Sequence, residues 1–432
     1  MPTLRFQHVL TPSGFGPAAI DIDDKGRIAA VEPIDSGPWD GWLALPGMVN
    51  AHSHSFQRVL RGFVERAGGE RSFWGWREQM YRVACHLTPE QQYAIAHSAF
   101  CEMLAAGYTS VGEFHYIHRL VDGSESTAMA DAVVAAAADT GIRLALLPVF
   151  YSQGGFGVAA LPEQQRFIYD RAQTFLDYVA RLQKVTGIAP HSLRAVTQTE
   201  LQQLVGESVD LLGDNRVVHI HIAEQQAEVR QCLQQNGKRP LAYLLESCEV
   251  DDKWSLVHAT HTDQSEWQAT ITAGATVVLC PLTEANLGDG LFAATEFTDA
   301  GGRLAIGSDC NARIDAIEEL RLLEYGQRLR LQARPCLYSD DLGATLWANA
   351  CANGARAVGL ETGTIAPGQH ADLVVLEADT IIGDAAPARV MDAWLTGGDA
   401  ASITAVYTGG VRRAASSDGN ALRRVLGELG LA

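Results

Sequence analysis

The sequence predicts an α/β protein: a (β/α)8 TIM-like barrel with a small β-sandwich domain formed by the N- and C-terminal segments. Three observations predict it. Eight short apolar runs alternate with helix-patterned stretches through the middle of the chain, as parallel strands joined by crossover helices do. Strand-and-turn patterns occupy both ends and enclose that region. Histidines and acidic residues collect at the ends of several runs, where barrel enzymes keep their chemistry.

In order along the chain, residues 4–10, 18–23 and 27–31 read as short strands, the last following the turn Asp24-Lys25-Gly26. The eight apolar runs are 43–54, 109–115, 143–150, 187–191, 217–224, 255–260, 276–281 and 303–309. Helical patterns lie between them at 89–106, 126–140, 163–185, 199–212, 225–235 and 263–273, with further helices at 317–331 and 339–358. After Gly363 the pattern returns to strands, at 371–376 and at 403–407 before the turn Thr408-Gly409-Gly410. The expected division is therefore a catalytic barrel over 47–363 and one small β-domain shared between 1–46 and 364–432.

Composition narrows the function. The formal net charge of −18 argues against nucleic acid or an anionic membrane as partner, because both want basic surfaces. Eight cysteines without a CxxC pair suit buried thiols in a reducing compartment. No basic leader with an apolar core and no 18-residue apolar span occurs, so the expected location is cytoplasmic. A small-molecule ligand is the expected partner, and a homodimer fits the tendency of barrels with exposed helical rings to associate.

The first run ends in His52-Ser53-His54. Residues i and i+2 of a strand share a face, so both imidazoles project together and can hold one divalent ion. Alone, the pair is also what two polar residues at a strand end look like. Partners strengthen it: the fifth run ends in His221 and Glu224, the sixth in His258 and the eighth in Asp309. Three histidines and an aspartate from three strand ends give four N/O ligands with a position open for water. Individually, His258 could be a core histidine and Asp309 a turn residue. His219 shares parity with His221 but lies deeper, and reads as a barrel-layer residue.

These residues and the segment 363–376 (Gly-Thr-Ile-Ala-Pro-Gly-Gln-His-Ala-Asp-Leu-Val-Val-Leu) resemble the amidohydrolase superfamily, in its cytosine-deaminase-like branch, over essentially the whole chain. Further motifs resemble the N-formimino-L-glutamate deiminases within it. They are His54-Ser-Phe-Gln57-Arg58, Phe73-Trp74-Gly75-Trp76-Arg77-Glu78, Glu113-Phe-His-Tyr116, Pro190-His191-Ser-Leu-Arg194, Thr283-Glu-Ala-Asn-Leu-Gly-Asp-Gly290 and Leu323-Glu-Tyr-Gly-Gln-Arg328. One departure is the loop Cys310-Asn311-Ala312-Arg313, where the family usually has a second serine and a histidine after the strand-eight Ser-Asp.

The resemblance implies a hydrolase that acts on a linear amidine C–N bond and releases ammonia. His52, His54, His221 and Asp309 would hold one metal ion, zinc, with Fe²⁺ or Mn²⁺ also compatible with those donors. Binuclear relatives bridge two metals with a carbamylated lysine at the end of strand four; here that end is His191-Ser192, so one ion is expected. Asp309 would double as a base, His258 would hydrogen-bond the nucleophile or polarise the substrate, and Glu224 would pass a proton to the leaving nitrogen. Arg77 and Arg194, with His191, would meet two carboxylates, and Gln57 and Tyr116 would supply neutral donors and acceptors. Trp74 and Trp76, in a long loop with Gly62, Gly68, Gly69 and Gly75, suggest a cover over the site.

Alternatives are a deaminase for another formimino-amino acid, a purine or nucleoside, or an imidazolone ring, and a barrel kept as a non-catalytic scaffold. The H-x-E with P-C-x-x-C pattern of nucleic-acid deaminases is absent.

Overall fold

The computed structural model describes residues 2–66, 73–338, 341–383, 385–414 and 419–431. Four strands open the chain: β1 (Thr3–Thr11), β2 (Gly14–Ile22), β3 (Ile28–Pro33) and β4 (Gly41–Pro46). Eight more, separated by helices, follow: β5 (Met48–Ser53), β6 (Tyr108–His115), β7 (Arg143–Phe150), β8 (Gly187–Pro190), β9 (Val217–Ile222), β10 (Trp254–His258), β11 (Thr276–Leu279) and β12 (Arg303–Ile306). They form one parallel eight-stranded sheet in sequence order. It closes on itself where Ser53 pairs with Asp309: Asp309 N–H donates to His52 O at 3.0 Å and His54 N–H to Asp309 O at 2.9 Å. Gly307 permits that closure, since a Cβ there would lie 2.7 Å from the His52 carbonyl oxygen.

The last three strands, β13 (Leu373–Leu376), β14 (Ile403–Thr408) and β15 (Val411–Arg413), join β1–β4 in a separate seven-stranded sheet ordered β15-β14-β13-β4-β1-β2-β3. Both ends of the chain thus build one sheet, with β4 paired to β1 on one side and to β13 on the other. Asp372, just before the apolar run of β13, is fully buried and takes both nitrogens of the Arg143 fork at 2.9 Å, at the start of β7. A buried carboxylate is tolerable only with such partners, and this one ties the small sheet to the barrel.

Two boundaries differ from the sequence expectation. The run 43–54 is not one strand: it breaks at Gly47, with β4 in the small sheet and β5 in the barrel. A Cβ at Gly47 would stand 2.2 Å from Thr109 Oγ1, so the chain crosses there only without a side chain. Both halves are buried on both faces, and no alternation marks the break. The pattern 163–185 is not one helix either. A 3-10 turn, Pro162–Gln164, and a helix, Ala172–Val179, flank a segment that buries Phe167 and Tyr169, with Arg166 Nε bonded to Arg119 O at 2.8 Å. Tertiary burial overrides the local propensity there.

The main core lies between the barrel and its helices. A smaller cluster fills the barrel's lower end, where Val49, Val257, Val278 and Ala305 meet Ala357 and Val358 from the end of the helix Leu342–Val358. His219 belongs to this layer, its Nε2–H donating to Ala357 O at 2.7 Å. The same helix carries Trp347, whose indole packs 4.9 Å from that of Trp394 on the helix Pro387–Gly397 and donates to Pro46 O at 2.9 Å. Among the described residues no helix is long and apolar enough to cross a membrane, and no disulfide joins the eight cysteines.

Candidate active site

The side chains named from sequence meet at the end of the barrel where the parallel strands finish. His52 and His54 come from the end of β5, His221 from β9 and Asp309 from just beyond β12. Nε2 of His52 lies 3.1 Å from Nε2 of His54 and 3.0 Å from Nε2 of His221, and Asp309 Oδ1 lies 3.2 Å from His54 Nε2. One donor atom from each of the four lies within 4.8 Å of all the others.

Protonation follows from the outer partners. His54 Nδ1–H donates to Phe114 O and His221 Nδ1–H to His191 O, both at 3.0 Å, which turns each Nε2 inward. Burial pushes the His52 imidazole down to about 3 and His221 well below its usual range. Deprotonated nitrogens that converge on a carboxylate repel one another unless a cation lies among them, and this donor set fits Zn²⁺, Fe²⁺ or Mn²⁺.

The site residues are held by their backbone as well. His258 and Asp309 have positive φ, +70° and +42°, as does Ala223 before Glu224 at +50°. Left-handed backbone at a side-chain-bearing residue costs about 1–2 kcal/mol and persists only where surrounding contacts enforce it. At Asp309 Asn311 supplies such contacts, its Nδ2 reaching Ser53 Oγ at 3.1 Å and the carbonyls of His54 and Asp309 at 3.0 Å. Ser308 Oγ donates to Asn311 Oδ1 at 2.6 Å, and Arg58 grips the carbonyls of Asn311 and Ala312. The loop that departs from the family pattern is thus a rigid strut behind the cluster, while its Arg313 faces outward and pairs with Asp315 and Glu318.

Two proton-bearing groups face the cluster. His258 places Nδ1 3.2 Å from Glu284 Oε1 and Nε2 3.8 Å from Asp309 Oδ2. Burial alone would lower its pKa, but Glu224, Glu284 and Asp309 raise it to about 10, which favours the protonated ring. Glu224 is raised to about 6 by burial, with Asp309 and Glu228 adding to the rise and His258 and Arg194 opposing it. Glu228 caps the turn by accepting from the N–H groups of Ala223 and Glu224 at 3.2 and 3.3 Å.

A cavity opens above, its space of about 560 Å³ continuous with open solvent. Its wall carries His54, His221, Glu224, His258 and Asp309 at one end and Gln57, Arg77, Tyr116, His191 and Arg194 around the rest; His52 lies beneath. Gln57 Nε2 donates to Tyr116 OH at 2.9 Å, and His191 Nδ1 meets Ser192 Oγ at 3.0 Å. Arg194 is buried, with Nη2 3.9 Å from Glu224 Oε2, and its Nε–H has no hydrogen-bond partner. Arg77 stacks over Trp74, its Cζ 4.3 Å from the ring centroid.

Arg77 corrects one expectation. Residues 73–84 are not loop but a helix, Phe73–Ala84, lying across the cavity mouth; Gly68 and Gly69 lie outside the described residues. Phe73, Trp76, Arg77, Met80 and Tyr81 all line the cavity, at helical spacing. That stripe was available as a signal, but an arginine interrupts its apolar character because it faces a pocket rather than the core. Sequence reasoning also missed Phe114, whose ring packs 4.5–5.2 Å from those of His52, His54 and His221, and Tyr81, Tyr151, Glu228 and Glu284. None carries a spacing signal of its own, since each is placed by tertiary folding.

A barrel with such a cluster at its strand ends, and buried titratable groups beside it, defines a metal-assisted hydrolase. The chain belongs to the amidohydrolase family, whose sequence profile matches residues 43–412. Within that family it is 43% identical to formimidoylglutamate deiminase of Pseudomonas aeruginosa, over 92% of each chain. It is 28% identical to 5-methylthioadenosine/S-adenosylhomocysteine deaminase of Haloarcula marismortui, over 83% of this chain and 78% of that one. Among solved structures, an amidohydrolase from Brucella melitensis superposes with a TM-score of 0.91 at 39% identity, covering 99% of this chain and 100% of that one. An adenosine deaminase from Xanthomonas campestris with bound zinc shares the fold, with a TM-score of 0.81 at 23% identity, over 100% of this chain and 98% of that one.

Proposed function

We propose that this chain hydrolyses N-formimino-L-glutamate to N-formyl-L-glutamate and ammonia, a step of histidine degradation. One observation carries the reading. A single cavity is lined both by the histidine–aspartate cluster and by two guanidiniums, Arg77 and Arg194, in a chain with 43% identity to a formimidoylglutamate deiminase. An amidine at the cluster and carboxylates at the arginines match a formimino-dicarboxylate: Glu224 and Glu228 stand 3.9 Å from Arg194, and its Nε–H has no hydrogen-bond partner, leaving it able to donate to a substrate carboxylate.

His52, His54, His221 and Asp309 would hold one divalent ion, zinc, which when bound lowers the pKa of water at the site. Asp309 accepts the proton of the attacking water. The imidazolium of His258 donates to the oxygen that adds to the formimino carbon. Glu224, raised to about 6 by burial, rests as carboxylate near neutral pH; it takes up the proton that Asp309 drew from the water and delivers it to the formimino nitrogen, and the hydroxyl proton of the adduct follows as the C=O forms and ammonia leaves. Gln57 and Tyr116 would orient the carboxylate nearer the cluster and His191 would assist. In domain terms, 47–363 would be the catalytic barrel, with 1–46 and 364–432 as the small domain. The enzyme would be cytoplasmic, would not bind nucleic acid, and would assemble as a homodimer.

The test is ammonia release by purified, metal-replete protein offered N-formimino-glutamate, N-formimino-aspartate, S-adenosylhomocysteine and guanine. The formimino-dicarboxylates should be the substrates. No ammonia from N-formimino-glutamate, or a faster reaction with either purine, overturns the reading.

A further inference from the structure

At the back of the cavity a buried amide sets the polarity of two tyrosines. Gln164, on the 3-10 turn Pro162–Gln164, is fully buried. Its Oε1 accepts from the backbone N–H of Leu161 at 2.7 Å, which fixes which way the amide faces. Nε2 therefore points the other way and donates to Tyr81 OH at 3.0 Å and Tyr151 OH at 2.9 Å. A phenol oxygen that accepts from an amide keeps its own proton to donate. The two hydroxyls stand 3.4 Å apart, so at most one of their protons can be shared between them. At least one is left for the cavity that both rings line.

Cations line the same cavity. Arg77 Cζ lies 5.6 Å from the Tyr81 ring centroid, and the Tyr151 ring packs 4.6 Å from that of His191, which precedes Arg194 by three residues. We propose that Gln164 is a positioning residue that holds Tyr81 and Tyr151 as hydrogen-bond donors to the substrate carboxylate remote from the reacting carbon. The identity of that carboxylate rests on the function proposed above; the donor polarity does not.

A carboxylate at 164 reverses this polarity. Gln164→Glu keeps an acceptor for Leu161 N–H, but its other oxygen can only accept. The tyrosine protons then turn toward it, and their lone pairs face the cavity. An anion is repelled, whereas a carboxamide can donate to those lone pairs. Gln164→Met removes the amide without reversing anything, leaving the hydroxyls unordered.

The experiment uses full-length, metal-replete parent, Gln164→Glu and Gln164→Met. It compares kcat/KM on N-formimino-glutamate with that on N-formimino-glutamine, and measures glutarate binding by calorimetry. In Gln164→Glu, kcat/KM on the dicarboxylate should fall about 10–100-fold, mostly through KM, as expected for a lost charge-assisted bond. The preference for carboxylate over carboxamide should shrink by a similar factor, and glutarate should weaken in parallel; Gln164→Met should lose less on both. A parental preference in Gln164→Glu, or equal losses on both substrates, overturns the proposal. Should that variant fail to fold, Tyr81→Phe with Tyr151→Phe removes both donors and keeps both rings, and an unchanged preference there is equally fatal. If the parent releases no ammonia from N-formimino-glutamate, the proposed function fails on its own, and glutarate binding by parent and variant still decides the role of Gln164.

Discussion

Nε2 of His52, on β5, lies 3.0 Å from Nε2 of His221, on β9, four places away in the strand order of the barrel. His221 carries its proton on Nδ1, where it is bonded to His191 O, so a bare lone pair faces His52. The two sides of the barrel mouth are thus brought within contact by groups that repel unless a cation joins them.

It follows that the ion should brace the barrel as well as serve the reaction. Elemental analysis should find one divalent ion per chain, and a chelator should lower Tm. Binding at a thousand times Kd contributes about 4 kcal/mol of stability. His221→Ala and Asp309→Ala should each lose the metal. Two ions per chain, or full metal in Asp309→Ala, would contradict the ligand set.

Glu224→Gln should keep metal and fold but lose about 10²–10⁴-fold in turnover, because glutamine cannot carry a proton. The parent's kcat/KM should show an acid limb at or below about pH 6, where burial has raised the Glu224 carboxyl. The sign is set by the resting carboxylate: activity is present above the limb and lost as pH falls through it. Arg194 opposes the rise, so Arg194→Met should move the limb to higher pH. A limb that does not move in Arg194→Met would separate it from Glu224.

Replacing Arg194 or Arg77 by Met should lower kcat/KM on the dicarboxylate by about one to two powers of ten, since charge-assisted bonds contribute roughly 1.5–3 kcal/mol. A substrate lacking the matching carboxylate should lose as much with the parent and little more with the variant, because both deletions remove one interaction. Additive losses in that cycle would place the carboxylates elsewhere.

Asn311→Ala should weaken metal binding about 10–100-fold although Asn311 ligates nothing. Its Nδ2 holds the carbonyls of His54 and Asp309, and its loss frees the left-handed backbone of Asp309 to relax. Metal titration against a competing chelator measures it, and parental affinity would show that the backbone of Asp309 needs no strut.

What could be read from sequence is what repeats or clusters locally. The apolar runs of β6 and β7 and the HxH pair give themselves away, because strand periodicity and ligand spacing are short-range. Glu284 gives no such signal, since it meets His258 only after β10 and β11 pair. The helix Phe73–Ala84 escaped because its inner stripe faces a polar cavity, and helices are usually recognised by an apolar one. Gly47 is the sharpest case. Its role is set by Thr109 on a neighbouring strand, and nothing near it in the chain reports that contact.

The shared sheet also fixes an order of events during synthesis. Pro46 and Leu45 on β4 pair with Leu373 and Val374 on β13, so one edge of β4 has no native neighbour until almost the whole chain has been made. At ordinary rates of translation that wait is on the order of 20–60 s, far longer than a hairpin takes to form. Throughout it, Leu43, Ala44 and Leu45, all fully buried in the finished molecule, stand beside an open strand edge. The emerging enzyme is therefore most exposed to mispairing and chaperone capture before its C-terminal strands arrive, and any truncation before β13 makes that exposure permanent.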